Sequence, residues 1–410
     1  MTGKRVGFWW TLSFASALPV LIGGQNAPGD YPQWRGQHRD GSASAFAPPS
    51  SWPTALTRRW TREIGDGYST PLVVNDIVYA FTRQQEDEVL TALHAKTGAV
   101  IWQRSYRAPY APIAPAAAHG PGPKATPVFY QRRIYSLGIS GILSAFDAAS
   151  GNLVWQSPAP LESPVYGAAT SPAADEGLVL VHPGNYGPLT AFDAVSGAIR
   201  WSGAEGGVFA SPLITELDGT RQVVTVTQRH VVGMSVRDGQ VLWRYPWPMR
   251  ATPSAITPVL YADTILVSGQ GMGITAIKPR KDGDTWRVDL IWETKDASLF
   301  LSNPVLIDDT LYGLSERASG QFFALDARTG RVLWLGPPRQ AANTAIVKAD
   351  HLLFLLSDNA ELLVARASRN GFEPLTRYTV APSATWAQPA ISGGRIFVKD
   401  TSSITLWTFE

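Results

Sequence analysis

Residues 324–334 are Ala-Leu-Asp-Ala-Arg-Thr-Gly-Arg-Val-Leu-Trp, and copies of this stretch recur along the chain. Its most regular feature is a Gly four residues before a Trp. Five copies share that feature, in the pairs Gly98 and Trp102, Gly151 and Trp155, Gly197 and Trp201, Gly239 and Trp243, Gly330 and Trp334. A diverged copy ends at Trp292, and Trp60 lacks the upstream half. The spacing lies between the 42 residues from Trp60 to Trp102 and the 53 from Trp102 to Trp155. Such a period predicts a β-propeller.

Three copies also have an Asp eight residues before the Trp, namely Asp147, Asp193 and Asp326. Asp accepts hydrogen bonds from nearby backbone N–H groups, and Gly adopts a positive φ without steric cost. The Asp-to-Gly segment therefore predicts a tight turn before the outer strand of each blade. In the sixth blade we expect strands at 304–307, 310–314, 321–325 and 331–335. We expect the Trp to extend from the outer strand and cover the neighbouring blade.

A second landmark, about 30 residues before each Trp, is a polar residue followed by Pro. The pairs are Thr70-Pro71, Thr126-Pro127, Ser171-Pro172, Ser211-Pro212, Thr257-Pro258, Asn303-Pro304 and Gln388-Pro389, and the seventh copy has Asn343-Thr344-Ala345 instead. Proline is tolerated in a strand at a sheet edge or at the first residue. The innermost strand of a propeller blade is such an edge, so the polar residues are candidates to line the central channel.

These landmarks predict eight first strands, while the last blade ends at Glu410 without an outer strand. Residues 57–63, which include Trp60, supply the missing strand. We therefore predict an all-β, eight-bladed propeller of four-stranded antiparallel blades, closed by the N-terminal strand. The predicted domains are a signal peptide at 1–24, an N-terminal extension at 25–56 and the propeller at 57–410, which we expect to be monomeric.

The composition excludes several function classes. The chain has 35 Lys and Arg, 33 Asp and Glu, a net charge of +2 and no Cys. No basic stripe is present, so we expect no nucleic-acid partner. Without Cys, disulfides, thiolate metal sites and thiol catalysis are excluded. Lipid attachment through an N-terminal Cys is excluded too, so we do not expect a lipoprotein.

The N-terminus has the pattern of an export signal. Lys4 and Arg5 precede an apolar run from Val6 to Ala17, and Ala15-Ser16-Ala17 fits a cleavage site. The alternative is an uncleaved anchor, since residues 6–24 are nearly long enough to span a membrane. Pro19 and the small residues favour cleavage. We expect a periplasmic or secreted protein with no transmembrane domain after cleavage.

Residues 60–410 resemble the pyrroloquinoline-quinone (PQQ)-like propeller repeat family, whose repeat is Ala-x-Asp-x-x-Thr-Gly-x-x-x-Trp. Residues 324–334 match it fully, and residues 145–155 and 191–201 match it with Ser in place of Thr. Residues 31–41 resemble an N-terminal motif of secreted members, with Gln37-His38 where Pro-Asn is usual. The resemblance implies one of two functions. Quinoprotein dehydrogenases hold PQQ and Ca²⁺ in the channel and use an Asp base. Non-enzymatic scaffolds include the propeller lipoprotein of the outer-membrane β-barrel assembly machine, which is similar in size.

The candidate cofactor residues are few. Asn303, Asn343 and Gln388 could offer calcium amide oxygens, but no Asp or Glu stands at the corresponding channel positions. Lys124 and Arg250 precede first strands and could face the carboxylates of PQQ, and Trp386 is an aromatic candidate at the channel mouth. The vicinal Cys pair typical of many alcohol-oxidising members is missing. We find no catalytic or metal constellation.

The interpretation that we favour is an exported, non-catalytic propeller that acts as a protein-binding or assembly scaffold in the cell envelope, without a cofactor. The alternative is a PQQ- and calcium-dependent quinoprotein dehydrogenase that oxidises alcohols or sugars. The longest connection between blades, at 106–124, is rich in Pro and Ala. It is a candidate for partner binding and equally for a spacer. Tyr166, Tyr186 and Phe209 add aromatic side chains to the same predicted face.

Overall fold

The chain folds as a ring of β-sheets. The computed structural model describes residues 27–184, 186–248 and 255–410. Within these ranges, thirty-two strands form eight antiparallel sheets of four strands each. This confirms the predicted eight-bladed propeller. The predicted signal peptide at 1–24 lies outside the described residues.

The first four blades follow the chain order. Blade 1 contains β2 (Leu72–Val74), β3 (Ile77–Gln84), β4 (Asp87–His94) and β5 (Val100–Arg107). Blade 2 contains β6 (Val128–Tyr130), β7 (Arg133–Leu137), β8 (Leu143–Asp147) and β9 (Leu153–Gln156). Blade 3 contains β10 (Ala173–Asp175), β11 (Leu178–Val181), β12 (Pro188–Asp193) and β13 (Ile199–Gly206). Blade 4 contains β14 (Leu213–Leu217), β15 (Thr220–Val226), β16 (His230–Ser235) and β17 (Val241–Pro246).

The remaining blades complete the ring. Blade 5 contains β18 (Val259–Tyr261), β19 (Thr264–Gly269), β20 (Gly273–Asp282) and β21 (Thr285–Thr294). Blade 6 contains β22 (Val305–Ile307), β23 (Thr310–Ser315), β24 (Gln321–Asp326) and β25 (Val332–Leu335). Blade 7 contains β26 (Thr344–Ala349), β27 (Leu352–Ser357), β28 (Glu361–Arg366) and β29 (Glu373–Thr379). Blade 8 contains β30 (Ala390–Ser392), β31 (Arg395–Lys399), β32 (Ser403–Thr408) and β1 (Thr57–Glu63).

Helices are short. Two 3₁₀ segments, Ala114–His119 and Arg317–Ser319, lie between strands. In the part of the chain that the structure describes, no helix is long and apolar enough to cross a membrane. The four strands of blade 6 begin and end within one residue of the predicted bounds.

The N-terminal strand closes the ring as predicted. Strand β1 pairs antiparallel with β32, and Trp60 lies opposite Leu406. The order β1-β32-β31-β30 shows that the first strand of the chain is the outer strand of the last blade. The free edge that β32 would otherwise present is therefore paired.

The antiparallel order gives the ring two distinct faces. Turns between the first and second strands and between the third and fourth strands lie on one face, which we call the turn face. Connections between the second and third strands, and between successive blades, lie on the other, which we call the loop face. The apolar core lies between neighbouring sheets; one cluster joins Leu72 and Phe81 of blade 1 to Ile134 and Phe146 of blade 2.

In the three blades that have it, the Asp of the repeat organises the turn before the outer strand. Asp147 accepts hydrogen bonds from the backbone N–H and the hydroxyl of Ser150, both through Oδ1. Asp193 does the same with Ser196. These bonds explain why Ser or Thr stands before the Gly in the copies that have the Asp, because the hydroxyl donates a second hydrogen bond to the same carboxylate oxygen.

The repeat Trp residues bond to the next blade. Their indole Nε1 groups donate to turn carbonyls at 2.8 to 3.3 Å, in the pairs Trp60 to Ala95, Trp102 to Ala148, Trp155 to Ala194, Trp201 to Val236, Trp292 to Ala327 and Trp334 to Ser368. A β-bulge immediately precedes each of these Trp residues; in blade 1 it leaves Ile101 unpaired between Val100 and Trp102. A bulge redirects the following side chain, here toward the neighbouring blade.

The repeat Gly lies directly under the Trp of the preceding blade. At Gly151, with φ of 71°, a Cβ would lie 2.5 Å from the Trp102 ring. The Gly is therefore required for two reasons: its backbone has a positive φ, and the indole leaves no room for a side chain.

Two junctions are built differently. Trp243 of blade 4 donates to Gln222 of its own blade at 2.6 Å. The reason is that the last two strands of blade 5, with ten residues each, form a long hairpin in place of the short turn of the repeat. This hairpin bonds to blade 4 instead, through the Lys281 N–H and Asp218. The outer strand of blade 7 has no Trp; its bulge precedes Thr376.

A glycine pair tests this junction. We expect Gly151→Ala to lower the free energy of unfolding by about 2–5 kcal/mol, because overpacking against Trp102 adds to the cost of a positive φ. Gly177 is the matched control, since it also has a positive φ of 77° but nothing within 4 Å of an added Cβ. Gly177→Ala should cost only about 1–2 kcal/mol. Urea unfolding of both variants measures the difference, and equal losses would contradict the packing role.

Candidate functional site

The central channel contains a segment of the chain itself. Residues 27–46, which we call the channel plug, enter from the turn face, where Asp30 accepts a hydrogen bond from the N–H of Asn75. They leave on the same face, where Phe46 packs against Phe354 and Phe409 at ring distances of 5.0 and 5.8 Å. The middle of the plug therefore reaches into the channel, and its tip at His38 is exposed.

Main-chain hydrogen bonds join the plug to the inner strands. Tyr31 and Val73 exchange both bonds, at 2.7 and 3.0 Å. The N–H of Phe129 donates to the carbonyl of Pro32. Farther along, Ala43 donates to Lys348, and Lys348 donates to Gly41. The plug thus extends the sheets of blades 1, 2 and 7 at the edges that face the axis.

Side chains of the plug bond to other blades. Trp34 donates from Nε1 to the Thr257 hydroxyl at 3.2 Å. Arg35 donates to the carbonyl of Pro304 at 2.5 Å. Arg39 donates to the carbonyls of Pro172 at 2.9 Å and Ser171 at 3.3 Å. With Tyr31 bonded to Gln388 of blade 8, the described hydrogen bonds of the plug reach every blade but the fourth.

The two arginines of the plug are buried cations with unusual partners. Arg35 and Arg39 are 2% and 6% exposed, and among the described residues no carboxylate lies within ion-pair distance of either. Burial lowers the pKa of Arg35 to about 10 and of Arg39 to about 9, and the charge of Arg35 contributes at Arg39. Both remain protonated at neutral pH. Backbone carbonyls, and at Arg39 also the Gln33 amide oxygen, accept the hydrogen bonds of these cations, while Arg35 Nη1 and Arg39 Nε are buried without a partner among the described residues.

The plug also carries one ion pair. Asp40 lies 2.8 Å from the Lys348 ammonium and accepts two hydrogen bonds from Ser42. Burial alone would raise the pKa of Asp40, but the Lys348 charge and these bonds hold it below its ordinary value. Asp40 of the plug is thus bound at the wall of the channel.

The predicted channel amides are buried and already bonded. The Asn303 oxygen accepts from the N–H of Thr257 at 2.8 Å. The Asn343 oxygen accepts from the Ser302 hydroxyl at 2.8 Å. The Gln388 oxygen accepts from the Tyr31 hydroxyl at 3.1 Å, and its amide nitrogen donates to Ile346. These side chains therefore join blades to each other or to the plug.

Most pre-proline hydroxyls have the same structural use. The backbone N–H of Thr70 donates to the Thr126 hydroxyl, that of Thr126 to Ser171, and that of Ser171 to Ser211. Each bond crosses from one blade to the next at the start of the inner strands. The residues chosen from the sequence as channel lining thus form an inter-blade chain of hydrogen bonds.

The other candidates lie apart. Lys124 donates to the carbonyl of Tyr166 at 2.8 Å, and burial lowers its pKa. The Trp386 ring lies edge-on to His119, with ring centroids 4.5 Å apart. Arg250 lies outside the described residues. The structure therefore does not bring these candidates into one cofactor site with the amides.

The loop face carries an exposed apolar platform over blades 1 to 3. The connection at 108–127 contacts the connection at 157–172, since Tyr110 bonds to the carbonyl of Val165 and Lys124 to that of Tyr166. Leu161 is fully exposed, and Val165 and Tyr166 are 38% and 37% exposed. We define the apolar platform as Tyr110, Leu161, Val165, Tyr166, Tyr186 and Phe209; the last aromatic contacts both Tyr166 and Tyr186.

Two buried titratable groups join blades near the platform. Glu88 accepts bonds from the Tyr106 hydroxyl and from the N–H of Ile139 in blade 2, and burial raises its pKa to about 7. His182 contacts the Gly187 carbonyl through Nδ1 and the Thr225 hydroxyl through Nε2. Burial lowers its pKa to about 4, so the neutral ring donates to Gly187 and accepts from Thr225.

Comparison with known proteins agrees with the repeat. The family model for the outer membrane protein assembly factor BamB, a PQQ-like repeat family, matches residues 86–335. The chain belongs to this family. BamB of Shewanella oneidensis is 25% identical over 266 residues, which are 60% of this chain and 65% of that protein. The dehydrogenase subunit of the quinone alcohol dehydrogenase of Gluconobacter oxydans is 26% identical over 224 residues, which are 46% and 28%. The chain thus spans less than two thirds of either relative.

Solved structures of PQQ-like propellers share the fold. BamB from Moraxella catarrhalis superposes with a TM-score of 0.63 and 15% identity, over 86% of this chain and all of that one. Quinohemoprotein alcohol dehydrogenase from Comamonas testosteroni superposes with a TM-score of 0.66 and 14% identity, over 93% and 80%. At such identities the likeness concerns the fold alone, so it does not distinguish the two branches of the PQQ-like family.

The residues present do not fit the cofactor pair of the dehydrogenase branch. Calcium prefers several hard oxygen ligands, including carboxylates. The amide oxygens of Asn303, Asn343 and Gln388 already accept hydrogen bonds, and Asp40 is paired with Lys348. Nowhere in the described ranges do three His, Cys, Asp or Glu side chains converge as metal ligands. The plug, moreover, enters the channel from the turn face and bonds to the inner strands.

Glu88 and His182 predict opposite pH dependences. A folded pKa above the unfolded value of 4.5 means that Glu88 costs stability as pH rises from about 4.5 to about 7. A folded pKa below the unfolded value of 6.5 means that His182 costs stability as pH falls from about 6.5 to about 4. Each group lowers the free energy of unfolding by about 3 kcal/mol once the pH has passed both its folded and its unfolded pKa. In the native protein the two oppose each other between pH 4.5 and 6.5.

Urea unfolding from pH 4.5 to 7 tests this. On acidification, Glu88→Gln should lose stability more steeply than the native protein, because only the His182 effect is left. His182→Gln should gain stability over the same range, because only the Glu88 effect is left. Parallel pH profiles for the native protein and both variants would contradict the assignment.

Proposed function

We propose that this chain is an exported, non-catalytic propeller that binds proteins as a scaffold in the cell envelope, in a periplasmic or secreted location. One observation carries the proposal: the groups that could hold a cofactor in the channel are engaged by the plug and by neighbouring blades. The similarity to an assembly factor supports it. Fold alone does not determine function in such families.

The apolar platform is the surface that we propose for partner binding. Leu161 is fully exposed, and Val165 and Tyr166, in the same connection, are exposed too. Exposed aromatic and apolar side chains that cluster on one face are typical of protein interfaces. The hydrogen bonds of Tyr110 and Lys124 to the neighbouring connection hold the platform in place before a partner binds.

A dehydrogenase is the second candidate, favoured by the similarity to the Gluconobacter subunit. Catalysis would require PQQ and Ca²⁺ at a site that the engaged amides do not offer. We expect purified protein mixed with PQQ and Ca²⁺ to reduce no dye with alcohols or sugars. Dye reduction that is abolished by a chelator and restored by Ca²⁺ would overturn the scaffold proposal.

Partner binding is tested with a charge on the platform. We expect Leu161→Arg to weaken partner capture by about tenfold, since loss of one central apolar contact commonly costs this much. Val195→Arg is the matched control, because Val195 is also exposed, at 63%, but lies in a turn on the opposite face. Cross-linking in the native envelope, followed by quantitative mass spectrometry, measures both variants. Equal capture by the two variants would show that the platform is not the interface.

A further inference from the structure

We infer that the central channel is a peptide-binding site for a segment whose ends pair with the inner strands and whose middle holds two arginines in tight turns, and that the channel plug is its ligand in cis. This inference goes beyond the proposed scaffold function and does not depend on it. The platform lies on the loop face, whereas the plug enters the channel from the turn face.

The first recognition element is the row of open inner strand edges. Tyr31 pairs with Val73 through two backbone hydrogen bonds, and Gly41 and Ala43 pair with Lys348 through two more. Addition of an extended segment to an exposed sheet edge is a common mode of peptide recognition. These bonds involve only the backbone, so they provide affinity without choosing a sequence.

The second element is a set of carbonyl acceptors. Pro172 and Pro304 begin the inner strands of blades 3 and 6, three blades apart across the channel. Proline has a carbonyl but no N–H, so these strand starts offer acceptors without donors. Arg39 and Arg35 bond to these two carbonyls. A guanidinium, which carries five donors and no acceptor, matches such a wall, and a carboxylate would not.

The third element is close packing at the wall. Gly41 has φ of 83°, and a Cβ there would lie 2.6 Å from the Val305 side chain. Gly36 has φ of 80°, and a Cβ there would lie 2.4 Å from the Ser42 carbonyl. Ser42 belongs to the plug, so the channel wall requires Gly only at position 41, whereas Gly36 is required by the turns of the plug itself. The ligand class is therefore a peptide that holds two Arg and a Gly at fixed spacing in a compact turn.

The link between plug and propeller is separate from these contacts. Residues 47–51 are exposed except for Pro49. After them, Trp52 packs against Phe409 at a ring distance of 5.3 Å. The hydrogen bonds between the plug and the channel wall do not involve this link. We therefore expect the plug to remain bound when the link is cut.

The test cuts the full chain after it has folded. A recognition sequence for a site-specific protease is placed between Ser50 and Ser51, and the intact variant is compared with the native protein by thermal melting. After cleavage, the plug should co-elute with the propeller in native buffer and separate only in denaturant. A labelled synthetic peptide of residues 27–46 should then exchange into the cleaved protein.

Variant peptides define the ligand class. A peptide with Arg35→Ala and Arg39→Ala should bind the cleaved protein with an affinity at least about 100-fold lower than the native peptide. The reason is that it loses three charged hydrogen bonds to wall carbonyls. A peptide with His38→Ala should bind like the native sequence, since His38 is exposed. Release of the plug on cleavage without a change in melting temperature would overturn the inference. Equal exchange by the doubly substituted peptide would overturn it too.

Discussion

Each blade of an antiparallel propeller leaves the inner edge of its first strand unpaired, and these edges all face one channel. Buried backbone groups without partners are costly. Here the chain limits the cost in two ways: prolines at the strand starts remove N–H donors, and the plug supplies donors to the carbonyls that remain. Arg35 and Arg39 are therefore buried without acids because the channel wall itself is rich in acceptors.

The outer part of the ring is held by a different contact. An indole from one blade lies over the Gly turn of the next and bonds to its carbonyl, so fold closure depends on residues that repeat in sequence. Blade 5 breaks the repeat, and its junction with blade 4 shows the consequence. Trp243 turns to Gln222 within its own blade, and the extended hairpin of blade 5 provides the contact instead.

The sequence predicts the fold well and the channel poorly, for one physical reason. Blade contacts are periodic, so Gly151 under Trp102 is one of several copies and can be recognised without a structure. The plug contacts occur once each and join residues far apart in the chain, such as Arg35 and Pro304. The motif at 31–41 was visible as a resemblance, but nothing in its spacing indicated the channel. Asn303 likewise has the residue type and the repeat position expected of a channel-lining calcium ligand. Its hydrogen bond to Thr257 of the neighbouring blade, however, cannot be predicted from the repeat.

The channel of this chain, rather than its ring, bears on the choice between a scaffold and a dehydrogenase. Fold alone does not determine function, so the ring carries little information about chemistry. A dehydrogenase needs free oxygen ligands and space at the axis. In this chain the amides of Asn303, Asn343 and Gln388 bond to backbone, a hydroxyl and the plug. The two guanidiniums of the plug bond to carbonyls at the channel wall. Such an interior joins the blades across the channel, and it supports the proposal that partners bind at the apolar platform on the loop face.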